Sequence, residues 1–415
     1  MDFSLTEEQR AWQLKARKFA QEELRPISLQ RDRIPNPRET FDWEIIKKGS
    51  RLGFRTAVLA KEWGGHGIDF VTQALVIGEL AAGDSPITKT FSQTWKWSHS
   101  MERCNPDQKQ RYLKAFVADD TYLLAFASTE PTAGSDNRMP PDDDPTAGWK
   151  LKAERKGDEW ILNGEKCFIA NGSVAKLFFV NARTNPNVSR NEGSTVFLVP
   201  IGTPGLRVGR VFNKSGWRFY QNAELIFENA RVPNANVVGE VNGAHSVHIS
   251  NPFRAYESFE LSAHALGICD ATLEMAMQHT RTRWQDAKYF IDNQTIQLKL
   301  SEMRMLTEAL RSFVMRVAAE ADTRTEHRFQ YSPFLQSFAS DVAQRVTVLN
   351  LDIHGGAGVM TMDAGAEKLA RDAVVWAHNA NDSVQRMKAI RENTGFQPTL
   401  RRAKDYHLRP RTAYE

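Results

Sequence analysis

A chain of 415 residues and 47.0 kDa is too long for one simple core, so two or three domains are expected. With 41% hydrophobic and 25% charged residues and a formal charge of +4, it reads as an ordinary globular chain, and that balance gives no argument for nucleic acid. Its apolar runs fall short of the roughly 20 residues of a bilayer span, its start lacks signal-peptide regions, and Cys104, Cys167 and Cys269 show no paired spacing; a cytoplasmic protein without membrane, disulfide framework or zinc knuckle is expected.

Thr6-Glu7-Glu8-Gln9 is a capping box opening a helix whose Trp12, Ala16, Phe19 and Glu23 share one face, and Pro26 is expected to end it. Phe41 to Leu52 predicts a second helix, stopped by Gly53. Glu62 to Gly67 is a glycine-rich structural turn before a third helix, Val71 to Ala82. Phe91 to Trp97 holds Phe91, Trp95 and Trp97 within one short stretch, and Pro106 to Leu113 opens a short helix. From Leu123 the pattern changes to β-rich runs at Trp149 to Lys156, Trp160 to Leu162, Leu177 to Ala182, Thr195 to Val199 and Glu224 to Phe227, with turns at Gly157-Asp158 and Asn163-Gly164. Met139 to Gly148 is a polar, solvent-facing loop. After Gly239 the chain turns helical again, at about Phe253 to Arg283, Gln294 to Thr323, Pro333 to Leu351 and Ala364 to Arg391, and four long helices make a bundle. The domains drawn are 1–121 (helical), 122–237 (β), 238–396 (bundle) and 397–415 (C-terminal extension).

The first strand of the sheet module runs into Glu130-Pro131 and then turns through Ala133, Gly134, Ser135 and Asp136. Such a turn presents backbone N–H groups and short hydroxyls to one side, which suits a phosphate, a carbonyl or a heterocycle edge; on composition alone it is equally an ordinary surface turn. The whole phrase from Leu124 to Asp136, with the edge Gly164 to Gly172, closely resembles the flavin-binding signature of the acyl-CoA dehydrogenase family, and the likeness runs from Phe3 to about Asn393. It implies an α+β fold with an N-terminal helical domain, a middle β-barrel-like domain and a C-terminal four-helix bundle. The implied activity is FAD-dependent α,β-dehydrogenation of an acyl-CoA thioester. The implied partners are an electron-transferring flavoprotein and further copies of the chain, in a homodimer or homotetramer.

Carried over residue by residue, the resemblance puts Phe126, Ser128 and Thr129 on the strand flanking the flavin, Ser135 in the turn shared by cofactor and CoA, and Phe168 over the ring. Ala170 stands where a hydroxyl is usual. Arg283, Gln294, Asp352, Gly355, Gly356, Asn381 and Ser383 fall at cofactor positions completed by a neighbouring subunit, Asp352 in place of the usual glutamine. Trp95 belongs to the stretch lining the far end of the acyl pocket, with helix–helix core packing as the alternative. Where many members keep the catalytic glutamate late in the chain, this sequence has Asn379, which cannot take a proton. The second solution of the family, in its isovaleryl- and long-chain-type members, places the base early in the first bundle helix, and here that position is Glu257, with Glu260 one turn away as fallback and Asp382 as a second one. Burial against an acyl chain would raise the Glu257 carboxyl, and a helix N-terminus would lower it. Two other readings stay open: a related flavin monooxygenase or oxidase, suggested by Ala170 and Asn379, and one subunit of a heteromeric dehydrogenase.

Overall fold

The structure, a computed structural model, describes residues 4–134, 145–249, 252–323, 332–361, 365–379, 383–384 and 386–387. Helix α1 (Glu7–Phe19) opens on the expected capping box: the Gln9 backbone N–H donates to Thr6 Oγ1 at 3.2 Å, and Thr6 N–H donates back to Gln9 Oε1 at 3.0 Å. Pro26 does not end this helix. The chain widens into a π turn over Ala20–Leu24 and continues as α2 (Arg25–Asp32), with Pro26 in the first turn, where no N–H is needed. Helix α3 (Trp43–Arg51) is capped by Asp42 and stops at Gly53, whose φ of +90° suits glycine.

Helix α4 (Phe70–Glu102) is far longer than the predicted third helix. It breaks at Asp84 (φ −161°, ψ 111°), whose carboxylate then accepts from the Ile87 N–H at 2.8 Å. Asp84 thereby caps a second segment that holds Pro86 in its first turn and carries the Phe91 to Trp97 aromatics. Short helices α5 (Pro106–Gln108) and α6 (Lys114–Ala118) lead to the sheet.

The sheet comprises β1 (Leu124–Ala127), β2 (Lys152–Lys156), β3 (Glu159–Ala170), β4 (Leu177–Arg183), β5 (Ser194–Pro200), β6 (Leu206–Val211), β7 (Asn222–Pro233) and β8 (Val237–Val238). Its order is β6-β7-β3-β2-β4-β5-β8, with β1 parallel to β4. The middle domain is thus a single β sheet set between the helical blocks, as expected, and among the described residues no pairing joins β6 to β8 to close it into a barrel. Strand β6 lies outside the predicted runs, and β3 and β7 are longer than predicted because each continues through a bulge.

After the short α7 (Ala244–Ile249) come α8 (Pro252–Thr282), a hairpin of β9 (Trp284–Gln285) and β10 (Lys288–Tyr289), α9 (Gln294–Thr323), α10 (Ser332–His354) and α11 (Ala366–Asn379). The four long helices α8 to α11 form the predicted bundle, and α4 lies along α8. One large core, which includes Trp95, Trp217 and Trp376, runs through the N-terminal helices and the bundle, so the helical blocks on either side of the sheet in sequence are continuous in space.

Candidate functional site

The predicted residues gather into two groups. The first lies where β1 ends. Phe126 stacks on Trp97, with ring centroids 4.2 Å apart and planes at 24°. Ser128 Oγ accepts from the Trp149 indole N–H at 3.1 Å, and the Thr129 carbonyl accepts from the Cys167 N–H at 2.9 Å. Beneath this turn lies a fully buried ion pair: Lys166 Nζ donates to Glu130 Oε1 at 2.6 Å and to the Ser128 carbonyl at 3.2 Å. The remaining acceptor capacity of Glu130 is taken by the Lys150 N–H at 2.5 Å and the Leu151 N–H at 3.0 Å. Burial pulls the Lys166 ammonium below its ordinary value, while the charge and hydrogen bond of Glu130 hold it up. The pair pins the turn from both sides, and sequence reading missed it because its partners are 36 residues apart.

One residue beyond Cys167, Phe168 takes a left-handed backbone (φ +56°) inside the β3 bulge. A bulky side chain seldom adopts that region, and outliers of this kind concentrate at functional sites. Its ring is 58% exposed and rests on Phe212 at 4.3 Å. Asn222 Nδ2 holds the Phe168 carbonyl at 3.0 Å, and Lys214 Nζ donates to Asn222 Oδ1 at 2.9 Å. Ala170 is two residues further along β3 and packs on the large core. An aromatic face is thus turned to solvent beside a turn carrying Ser128 and Thr129, an arrangement able to flank a flat heterocycle.

The second group lies at the far end of the bundle. Arg283, just before the β9–β10 hairpin, is exposed and contacts Gln285 at 3.4 Å and the Phe290 ring at 5.9 Å. Gln294 is exposed at the start of α9, and Asp352, exposed on α10, is paired with Lys299 at 3.0 Å. Gly355 and Gly356 follow, next to His354, which stacks on His279 of α8 at 4.0 Å. A Cβ on Gly356 would meet nothing within 4 Å, so the packing of the chain itself does not demand a glycine there, and the surface is left open for close approach by a ligand. Ser383 is exposed, whereas Ser135, Asn381 and Asp382 lie outside the described residues.

Trp95 is in the core, 1% exposed, its indole N–H donating to the Phe54 carbonyl at 2.5 Å. Glu257 lies in the first turns of α8 and Asn379 ends α11; the side chains of both are outside the description. Glu260 corrects the sequence reading. It is buried, accepts from Lys89 Nζ of α4 at 2.7 and 2.8 Å and from the Ser92 hydroxyl, and sits 3.3 Å from His264 Nε2. Burial alone would raise its carboxyl, but Lys89 and His264 outweigh burial and hold it far below the usual carboxylate range. Locked in this way, Glu260 is a poor proton acceptor and no fallback base.

Residues 6–120, 125–230 and 255–377 match the descriptions acyl-CoA dehydrogenase N-terminal, middle and C-terminal domain. The chain is 33% identical over 370 residues to a cyclohex-1-ene-1-carbonyl-CoA dehydrogenase of Geobacter metallireducens, covering 89% of this chain and 93% of the relative. The chain belongs to the acyl-CoA dehydrogenase family. Among solved structures, butyryl-CoA dehydrogenase from Megasphaera elsdenii is similar at 29% identity and a TM-score of 0.83, covering 94% of this chain and 98% of that one. So is a chain from a study of the electron transferring flavoprotein of Acidaminococcus fermentans, at 29% identity and a TM-score of 0.85, covering 94% and 99%. This protein is an FAD-dependent acyl-CoA dehydrogenase.

Proposed function

We propose that the protein oxidises an acyl-CoA thioester to its α,β-unsaturated product, with Glu257 as the base for the α-proton. FAD, when bound, supplies the acceptor for the β-hydrogen. One observation carries the assignment of the base. Glu257 lies on α8 at the position where the resemblance places the base, and Glu260, the next acid along that helix, is taken up by Lys89 and Ser92. A thioester acidifies its α-carbon only partly, so the base must be close and desolvated, and the first turns of α8 lie beside the buried α4–α8 seam.

Phe168, Ser128 and Thr129 would hold the ring system, while Arg283, Gln294 and Gly356 would receive the distal half of the cofactor from a neighbouring copy. Arg283 suits a pyrophosphate because the groups it touches, Gln285 and Phe290, are neutral. The assembly is therefore a homodimer or homotetramer, acting in the cytoplasm. Electrons pass to an electron-transferring flavoprotein, a reading supported by the matched Acidaminococcus chain. The test is anaerobic titration of the FAD-loaded protein with saturated acyl-CoA thioesters, following loss of flavin absorbance. Glu257→Gln should keep its flavin yet bleach at least about a hundredfold more slowly. Bleaching at the wild-type rate would remove Glu257 from the role.

A further inference from the structure

Two residues at the end of β3 have left-handed backbones, Phe168 (φ +56°) and Asn171 (φ +57°). Asparagine takes that region readily and phenylalanine does not, so Phe168 has to be held there by its surroundings. The β3–β7 ladder does not hold it. Lys166 pairs with Leu225 and Ile169 with Ala223; between them β3 has two residues, Cys167 and Phe168, where β7 has one, Glu224. On one side the bulge is tied by the Cys167 N–H, which donates to the Thr129 carbonyl at 2.9 Å. On the other, the Phe168 carbonyl accepts from Asn222 Nδ2 at 3.0 Å.

Which way round the Asn222 amide sits decides whether it can hold Phe168. The residue is buried, and its side chain has one donor end and one acceptor end. A lysine ammonium carries donors only. Lys214 Nζ donates to Asn222 Oδ1 at 2.9 Å and thereby leaves the amide NH2 for the Phe168 carbonyl. The lysine is itself fixed, because it also donates to the Tyr220 carbonyl, near the other end of the connection between β6 and β7. Turned over, the amide would set its oxygen against the Phe168 carbonyl, two acceptors with no proton between them. The Phe212 ring backs that of Phe168 at 4.3 Å, and the Phe212 N–H donates to the Asn222 carbonyl at 2.9 Å, so ring support and amide share one anchor.

We infer that Lys214 is a positioning residue for the cofactor: by orienting the Asn222 amide it holds Phe168 in its left-handed conformation and presents the exposed ring to the flavin. This inference rests on the proposed function in placing the flavin of FAD at Phe168, and it goes beyond that reading in naming a residue that acts only through Asn222.

The experiment measures FAD affinity by ultrafiltration and the visible circular dichroism of the bound flavin, which reports the asymmetric surroundings of its ring system. Lys214→Met should weaken FAD binding about tenfold, the worth of one hydrogen bond, and change the flavin circular dichroism in the same sense as Phe168→Leu. Lys214→Arg keeps a donor for Asn222 Oδ1 and should return both values most of the way to wild type. In the Phe168→Leu background, adding Lys214→Met should cost less than about threefold more, because both changes act on one ring. Should Lys214→Met fail to fold, Asn222→Asp decides: its carboxylate still accepts from Lys214 but has no N–H for the Phe168 carbonyl, and it should behave as Phe168→Leu does. Wild-type affinity and circular dichroism in Lys214→Met or Asn222→Asp, or a Lys214→Met loss that multiplies in full with that of Phe168→Leu, overturns the inference and leaves the flavin reading intact. Unchanged affinity and circular dichroism in Phe168→Leu removes that ring from the cofactor and overturns both.

Discussion

Glu130 and Lys166 show how a buried charge pair fixes a functional turn. Both are withdrawn from solvent, and the Glu130 carboxylate is held by Lys166 and by the backbone N–H groups of Lys150 and Leu151 ahead of β2. Removing one partner leaves the other charge buried without compensation, a loss of about 3–5 kcal/mol. Glu130→Gln and Lys166→Met should each lose stability on that scale in denaturant unfolding, and should bind FAD more weakly because the Ser128–Thr129 turn is released. The double variant Glu130→Leu/Lys166→Met should lose much less than the sum of the two, and strict additivity would show that the pair is not coupled. At this scale the sequence was readable where side chains act within one phrase. The Thr6–Gln9 capping box and the run from Phe126 to Glu130 were both visible. Pairs that close only after folding were not: Lys89 and Glu260 are 171 residues apart, and Glu260 therefore looked like a second base.

Elements with a clean period were legible, because an amphipathic face repeats whether or not its partner is known. The four bundle helices and the β runs of the middle domain emerged in this way. Elements were misjudged where the backbone changes its hydrogen-bond register. Pro26 looked like a terminus because a π turn before it is not encoded by periodicity, and α4 looked short because Asp84 both breaks the helix and caps the next segment. The α4–α8 seam gives the prediction at this scale. Gly267→Val forces a side chain where even a Cβ overlaps Ala81, and overpacking of this kind costs about 1–3 kcal/mol or more. Thermal unfolding should show a clearly lower midpoint, with the loss concentrated in cooperativity between the N-terminal helices and the bundle. An unchanged midpoint would mean that the helices can separate at little cost.

For the whole molecule, the distribution of apolar surface decides how the cofactor residues at the far end of the bundle are used. Leu298 and Met305, 72% and 63% exposed, lie seven residues apart on one face of α9. Trp284 and Tyr289 on the hairpin and Val359 and Met360 beyond α10 add exposed apolar area around Arg283, Gln294 and Gly356. Contiguous apolar surface rimmed by polar residues marks an interaction site, and homo-oligomers bury such surface between copies. Cofactor retention and assembly should therefore fail together. The substitutions Leu298→Asp/Met305→Asp place two charges in the middle of that face and touch no residue assigned to FAD. They should reduce the sedimenting species to a monomer and release flavin on gel filtration, while the far-UV circular dichroism of the folded chain is kept. A wild-type protein that sediments as a monomer with stoichiometric FAD, or a double variant that keeps both assembly and flavin, would mean that one copy binds its cofactor alone and that Arg283, Gln294 and Gly356 have no part in a neighbour's site.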